Sequence, residues 1–333
     1  MKTMLSLLLL LASQLIFAQT RVITDMAGRK VTIPVKINRI LPHDEKTCLM
    51  LFPCSSGKLI SRGLNPDNTD MKYIHESYRK LPITDIKNPE AVMSAAPDII
   101  IAGCFVPEDY SRYEKLSKQT NIPLVIIDLN ILKMDNSYRF LGSLLGENKE
   151  TKACADFLDN FYKELSQLQK TNAKNNASAY LAVGSDGLMT APSGSKHAQL
   201  FDLLGIRNAA ETEIEARGYA TVSLEQIMLW KPDYIFTVDK GGDDPYTEIY
   251  ASPLWKKIPA VQKKHVFHIP EEPYNWFGNP PSINRIPGLI LLSEFFYRQS
   301  QKKAHEQIKA FYRLFYKYPL SETELARLLQ SKK

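Results

Sequence analysis

The sequence contains one phrase twice, NPEAVMSAAPDIIIAG at residues 88–103 and VSLEQIMLWKPDYIFTVD at residues 222–239. In each copy a glutamate stands seven positions before a Pro-Asp pair, and an apolar, β-branched or aromatic run follows that pair. The pattern predicts a short amphipathic helix, a turn at Pro-Asp and then a buried strand. Because the unit occurs in both halves of the chain, the sequence predicts two similar lobes with a cleft between them.

Outside these phrases, predicted strands and helices alternate, which is typical of a parallel α/β sheet. The DMAGR turn within residues 21–40 separates two short apolar runs and predicts a hairpin. A helix is expected after Asp44, which is suited to cap it. Residues 147–171 have no proline or glycine and carry apolar residues at helical spacing, so they predict one long helix. The last helix is predicted over residues 293–315.

The first 18 residues, MKTMLSLLLLLASQLIFA, are typical of a secretory signal peptide, with an early lysine, an apolar centre and a small residue at the end. A retained membrane anchor is the alternative, although the apolar run is short for a bilayer span. No cysteine follows this run to carry a lipid. We therefore expect a periplasmic protein divided into a signal peptide (1–18), an N-terminal lobe (19–146), a linker helix (147–172) and a C-terminal lobe (173–333).

The charge and cysteine content narrow the function classes. The 333-residue chain has a formal net charge of +6, and its basic residues are dispersed, so no nucleic-acid-binding face is predicted. The four cysteines (Cys48, Cys54, Cys104 and Cys154) form no CxxC pair and lack zinc-finger spacing to histidine. Buried thiols or one structural disulfide are expected, and three full pairings remain open.

Motifs for catalysis are missing from the sequence. It contains no GxSxG, no HExxH and no glycine-rich phosphate loop. The acidic stretch VDKGGDDP (238–245) is typical of a solvated loop. An exported α/β hydrolytic enzyme is therefore the weaker hypothesis beside a binding protein. It stays open because catalytic partners can be far apart in sequence.

Several motifs occur in a familiar order: ITDMAGRKVTIP, the first phrase, the long helix, the second phrase and PPSINRIPGLILL. This order resembles the substrate-binding proteins of ABC importers for iron–siderophores, haem and cobalamin, the class III periplasmic binding proteins. The resemblance covers nearly all of the chain after the leader. It implies an α/β fold of two Rossmann-like lobes with parallel sheets, joined by one long backbone helix. It also implies a monomer that is not an enzyme and has no cofactor, the metal chelate in its cleft being the transported cargo.

The resemblance further implies that one acid on each lobe, Glu90 and Glu225, docks into basic pockets of the membrane permease dimer. Exposed carboxylates provide charge-assisted bonds and steering for such an encounter. A purely structural interpretation is also open, because each glutamate falls in the first turn of a predicted helix, where the helix dipole favours an acid.

Ligands of open α/β lobes bind at the carboxyl ends of strands, and four loops at such ends carry candidate residues. The candidates are His43, Asp44, Phe105, Met189, Thr190, Arg217, Tyr219, Tyr274, Trp276, Phe277 and Arg285. The three aromatic residues at 274–277 share a loop with prolines and a glycine, which predicts an exposed rim that lines the cleft. Arg285 offers bidentate donors to a carboxylate-rich chelate or an oxyanion.

The ligand class is open at this stage. A ferric siderophore, a corrinoid or haem is the leading expectation. The family often has a Ser-Pro-Ser-like first loop, whereas this chain has Pro42-His43-Asp44, so His43 is a tentative metal ligand. A small nickel or cobalt complex, a free metal ion or an oxyanion are the alternatives.

Overall fold

The computed structural model describes residues 19–62, 71–106, 110–146, 148–171, 176–238, 245–278, 280–297 and 299–330. The predicted signal peptide and the acidic residues Asp239, Asp243 and Asp244 lie outside these ranges. Within them, no helix is both long and apolar enough to cross a membrane.

The first lobe combines a hairpin with a three-stranded parallel sheet, β3-β4-β5. Its strands are β1 (Thr20–Thr24), β2 (Lys30–Pro34), β3 (Ile40–Pro42), β4 (Ile99–Cys104) and β5 (Leu124–Asp128). Its helices are α1 (Glu45–Ser55), α2 (Glu76–Arg79), α3 (Pro89–Ser94), α4 (Ser111–Thr120) and α5 (Met134–Leu145). The hairpin prediction is confirmed by the antiparallel pairing of β1 and β2. Buried Asp25 attaches the hairpin to the sheet, because its carboxylate accepts a hydrogen bond from the Ile126 N–H at 3.1 Å.

The predicted long helix is confirmed as α6 (Asn148–Thr171). The sheet that follows has the order β11-β10-β6-β7-β9, and β8 also pairs with β6. Its strands are β6 (Ser178–Val183), β7 (Met189–Thr190), β8 (Arg207–Asn208), β9 (Ala220–Thr221), β10 (Tyr234–Val238) and β11 (Val266–His268). The pairings of β7 with β6 and β9 are antiparallel, so this sheet is mixed at one side rather than wholly parallel.

The helices after α6 are mostly short. They are α7 (Gln199–Leu203), α8 (Leu224–Trp230), α9 (Tyr246–Ala251), α10 (Pro259–Gln262), α11 (Arg285–Tyr297), α12 (Gln301–Phe315) and α13 (Glu322–Leu329). The prediction of one helix over residues 293–315 is wrong, because the chain is non-helical at Ser300 (φ −57°, ψ 124°). The break turns Gln299 inward, where its amide donates to the Gln307 side chain at 2.6 Å.

The repeated phrase folds alike in both lobes, as predicted. In each copy the aspartate after proline binds the backbone at the start of the lobe's first sheet strand. Asp98 accepts from the Asn38 N–H at 2.7 Å, and Asp233 accepts from the Ser178 N–H at 2.9 Å. The Pro-Asp pair is therefore a scaffold element that fixes the register between two parallel strands.

The end of the chain returns to the first lobe. The His75 N–H donates to the Tyr316 carbonyl at 2.9 Å, and Lys317 donates to the Ser56 hydroxyl at 2.7 Å. These contacts join the end of the predicted C-terminal lobe to the N-terminal lobe. The two halves are therefore also in contact outside the long helix α6. The predicted lobe boundaries themselves stay a prediction.

Candidate ligand site between the lobes

Arg285 lies between the two lobes, at the first position of α11. Its side chain is fully buried, and its guanidinium faces the ring of Phe105, which follows β4 of the first lobe, at 5.9 Å. On the second lobe, its Nη1 donates to Gln199 Oε1 at 2.7 Å. Its Nε and Nη2 have no hydrogen-bond partner among the described residues. A buried guanidinium with two unused donors is a strong anion-binding element.

Among the described residues, the neighbours of Arg285 are neutral. The Gln199 amide and the Phe105 ring carry no charge, and the Tyr162 hydroxyl donates away, to the Ile131 carbonyl. Burial lowers the pKa of Arg285 to about 10, so the guanidinium stays protonated at neutral pH. The site therefore holds a positive charge that no described carboxylate balances.

Two hydrogen bonds hold the lobes together beside this arginine. Ser282 donates to the Lys46 carbonyl at 2.7 Å, and Tyr274 donates to Glu45 Oε1 at 2.5 Å. Glu45 and Lys46 form the first turn of α1, whereas Ser282 precedes α11. The structure thus brings the first predicted loop, around residue 43, against the fourth, around residues 274–285.

Asp44 caps α1, as predicted. Its Oδ1 accepts from the Thr47 N–H at 3.0 Å and from the Thr47 hydroxyl at 2.6 Å, while Oδ2 binds Lys46. Burial raises its pKa, but His43 and Lys46 outweigh burial and hold it well below its usual range. These contacts give Asp44 a structural role, and its predicted ligand contact stays a prediction.

His43 lies half-buried at the cleft side of the first sheet. Its ring packs edge-to-face on Tyr113 at 4.6 Å, and its Nδ1 lies 3.6 Å from Asp44 Oδ2. Among the described residues, no group of three or more His, Cys, Asp or Glu side chains is placed to hold a metal ion. The tentative metal role of His43 therefore gains no support from its neighbours.

The prediction of an exposed aromatic rim is wrong. Tyr274, Trp276 and Phe277 are almost wholly buried and belong to the main apolar core. The Trp276 indole donates to the Tyr312 hydroxyl at 3.0 Å, and the Phe277 ring packs on Phe201 at 5.0 Å. These rings support the loop that carries Arg285, and their role in ligand contact stays a prediction.

Asn275 is the physical reason for this inward turn. Its Oδ1 accepts from the N–H groups of Phe277 and Gly278 at 2.8 and 3.0 Å, and its carbonyl accepts from Asn284 at 2.5 Å. These bonds satisfy the loop's polar groups internally, so the aromatic side chains can leave solvent. Proline content indicated a rigid loop, but it did not indicate its direction.

Gly288 lets the loop pack directly on α11. A Cβ at this position would lie 2.2 Å from the Trp276 carbonyl oxygen and 3.1 Å from a Leu200 methyl group. We expect Gly288→Ala to lower the free energy of unfolding by about 3 kcal/mol or more, because the backbone must shift. Thermal or urea denaturation measures this loss. Gly57→Ala is the control, since nothing lies within 4 Å of its added Cβ, and equal losses in the two variants would contradict the packing argument.

The other candidates lie along the antiparallel side of the second sheet. Met189 and Thr190 form β7, which pairs with β9 just after Tyr219. The Tyr219 ring stacks on His197 at 4.4 Å, near the start of α7. Arg217 is exposed in a left-handed conformation (φ 58°). Their role in ligand contact stays a prediction.

Glu90 and Glu225 occupy matching, exposed positions in the first turns of α3 and α8. Each helix is capped by another residue, Asn88 in α3 and Ser223, with Gln226, in α8. Hydrogen bonds from its own N–H and from Ser223 lower the pKa of Glu225, so it is ionised at neutral pH. Asn88 and Ser223 therefore supply the side-chain caps, while the two glutamates act on their helix ends through the helix dipole and, for Glu225, through its own N–H.

All four cysteines are buried thiols with no disulfide among them, so the first of the two predicted options is confirmed. Burial raises the pKa of Cys48 and Cys154, which keeps both protonated and unreactive.

The sequence did not indicate Gln199 or Glu45, which contact Arg285 and Tyr274. Each contact joins residues more than 80 positions apart. A polar residue at the first position of a helix was the only local signal, and it is equally typical of a solvated helix end.

Comparison with known proteins agrees with this geometry. A family model described as periplasmic binding protein matches residues 72–273. The chain is similar to the molybdate-binding protein MolA of Haemophilus influenzae, with 25% identity over 89% of this chain and 92% of that protein. It is also similar to the petrobactin-binding protein YclQ of Bacillus subtilis, with 24% identity over 56% of this chain and 60% of that protein.

A solved structure extends the agreement to the whole fold. The ABC transporter solute binding protein of Sulfurospirillum deleyianum superimposes with a TM-score of 0.82, covering 92% of this chain and 98% of that chain at 25% identity. Its coverage includes both lobes and the connecting helix, so the predicted class III fold is confirmed. This chain therefore belongs to the periplasmic binding protein family, whose members are substrate-binding proteins of ABC importers and not enzymes.

Proposed function

We propose that this protein captures a compact anion between its lobes and delivers it to an ABC importer from the periplasm. The observation that carries the proposal is the buried Arg285, whose Nε and Nη2 lack partners among the described residues. An unpaired buried charge is costly, and an anionic ligand removes that cost by accepting both donors. The sequence ranked a metal chelate first, whereas the arginine favours an oxyanion.

Two further observations support a small ligand. The direct bonds from Ser282 to Lys46 and from Tyr274 to Glu45 bring the lobes into contact beside Arg285. A large planar ligand such as haem would have to break both. The similarity to MolA, a protein named for molybdate, extends over most of both chains and favours an oxyanion of this size.

A carboxylate-bearing ferric chelate is the second candidate. The same two guanidinium donors match a carboxylate, and one relative is named an Fe(3+)-citrate-binding protein. In this candidate the chelator coordinates the metal, so the protein supplies no metal ligand.

Calorimetry with the purified protein tests the proposal. We expect one-to-one binding of molybdate or tungstate with a Kd in the micromolar range or tighter, and no binding of haem or cobalamin. Sulfate and phosphate measure the selectivity among oxyanions, and ferric citrate tests the second candidate. Binding of haem or cobalamin alone, or of no anion in the panel, would overturn the proposal.

A further inference from the structure

Gln199 determines which donors of Arg285 remain for a ligand. Its Oε1 accepts from Nη1 at 2.7 Å, which occupies one end of the guanidinium. The two unpartnered groups, Nε and Nη2, lie on a single edge of the planar group. Their N–H bonds run nearly parallel, which is the fork geometry that binds two oxygens of one carboxylate or oxyanion.

Resting on the proposed function, we propose that Gln199 is a positioning residue that sets the charge selectivity of the site. It orients the guanidinium so that the Nε–Nη2 edge faces the ligand, and it does so without neutralising the positive charge. The ligand class that follows is an anion with two adjacent terminal oxygens on one central atom.

The neutrality of Gln199 is the essential property. Glutamate has nearly the same shape and would accept the same Nη1 hydrogen bond, but it would form a buried ion pair with Arg285. An incoming anion would then be repelled by the carboxylate and would gain little from a guanidinium already compensated. The other described neighbours named above, Phe105 and Tyr162, contribute no negative charge either, since burial raises the pKa of Tyr162.

Two variants separate charge from packing. We expect Gln199→Glu to weaken molybdate binding at least 100-fold and to raise the melting temperature of the ligand-free protein. Gln199→Met keeps the side-chain length, adds no charge and loses only the orienting bond, so a loss of less than tenfold is expected. Isothermal titration calorimetry with molybdate and with ferric citrate gives the affinities, and scanning calorimetry gives the melting temperatures.

The outcomes are distinguishable from those of the proposed function. A wild-type protein that binds no anion of the panel overturns the proposed function, and this inference with it. A wild type that binds, together with a Gln199→Glu variant that binds as tightly, overturns the role of Gln199 alone. Equal losses of affinity in Gln199→Glu and Gln199→Met overturn it too, because they would show that the loss comes from packing and not from charge.

Discussion

Replacing Arg285 by methionine is expected to abolish anion binding while leaving the ligand-free protein at least as stable as the wild type. Two charge-assisted hydrogen bonds are lost, each worth about 1.5–3 kcal/mol, so the affinity should fall at least 100-fold. Methionine fills a similar volume without a charge. A loss of anion binding without a loss of stability is characteristic of a residue that binds the ligand and does not stabilise the fold.

The stability side of this prediction follows from burial. The lowering of the pKa of Arg285 from 12.5 to about 10 corresponds to about 3 kcal/mol spent on holding the charge in the folded protein. Removing the charge recovers this energy, and leaving Gln199 Oε1 without its donor costs about 1–3 kcal/mol. The net effect on the melting temperature is therefore a rise of a few degrees or none.

The sign of the pH dependence follows from the same lowered pKa. Below pH 10 the guanidinium is protonated in both the folded and the unfolded chain. The free-energy cost of burying its charge therefore does not change with pH. As the pH rises through 10 the folded protein releases this proton first, so the contribution of Arg285 to stability becomes less unfavourable. The ligand-free wild type should therefore lose less stability above pH 10 than Arg285→Met does.

Calorimetry on three variants checks the prediction. Arg285→Lys keeps a charge without the fork and should bind more weakly than the wild type but better than Arg285→Met. Arg207→Met is the control, because Arg207 pairs with Glu211 at an exposed surface site. Its loss should change neither the anion affinity nor the melting temperature. A steep drop in the melting temperature of Arg285→Met, or retained affinity, would show that the arginine serves the fold.

Local sequence patterns predicted most of the fold. Helix α6 (Asn148–Thr171) lies within the range predicted for it, and strand β4 follows the Pro-Asp turn directly, because both depend on neighbours in the chain. The break at Ser300 was missed because it depends on the inward pairing of Gln299 with Gln307. A pattern of apolar residues does not record such a pairing.

The candidate site was predicted less completely, for a related reason. Arg285 was identified from its chemistry and from its position in the fourth loop, yet its significance depends on Gln199 and Phe105, which come from distant segments. Trp276 was placed at the surface because its loop is rich in proline, while the Asn275 turn that buries it depends on backbone geometry. The sequence indicates the candidate ligand-binding side chains, and tertiary contacts determine which of them remain available to a ligand.

The double change of Glu90 and Glu225 to alanine is expected to abolish ligand uptake while leaving ligand affinity within twofold of wild type. Both carboxylates are exposed, matched between the lobes and unnecessary as caps, so we propose that they dock on the importer's permease. A two-point contact of this kind loses most of its binding when both charges are removed, since each acid provides charge-assisted bonds. Ligand-stimulated ATP hydrolysis by the importer in proteoliposomes measures the loss, and calorimetry measures the affinity.

A matched pair of glutamates separates docking from general surface charge. Glu76 and Glu248 are exposed first-turn acids, one on each lobe, in α2 and α9. Changing both to alanine removes the same number of charges from first-turn positions, so this control should leave transport intact. Glu76 also loses its exposed ion pair with Lys80 at 2.9 Å, which contributes little to stability. If the control pair lowers transport as much as the Glu90 and Glu225 pair does, net charge steers the encounter and the repeated phrase has no docking role. If neither pair affects transport, the glutamates of the repeated phrase belong to the scaffold, as its Pro-Asp pairs do.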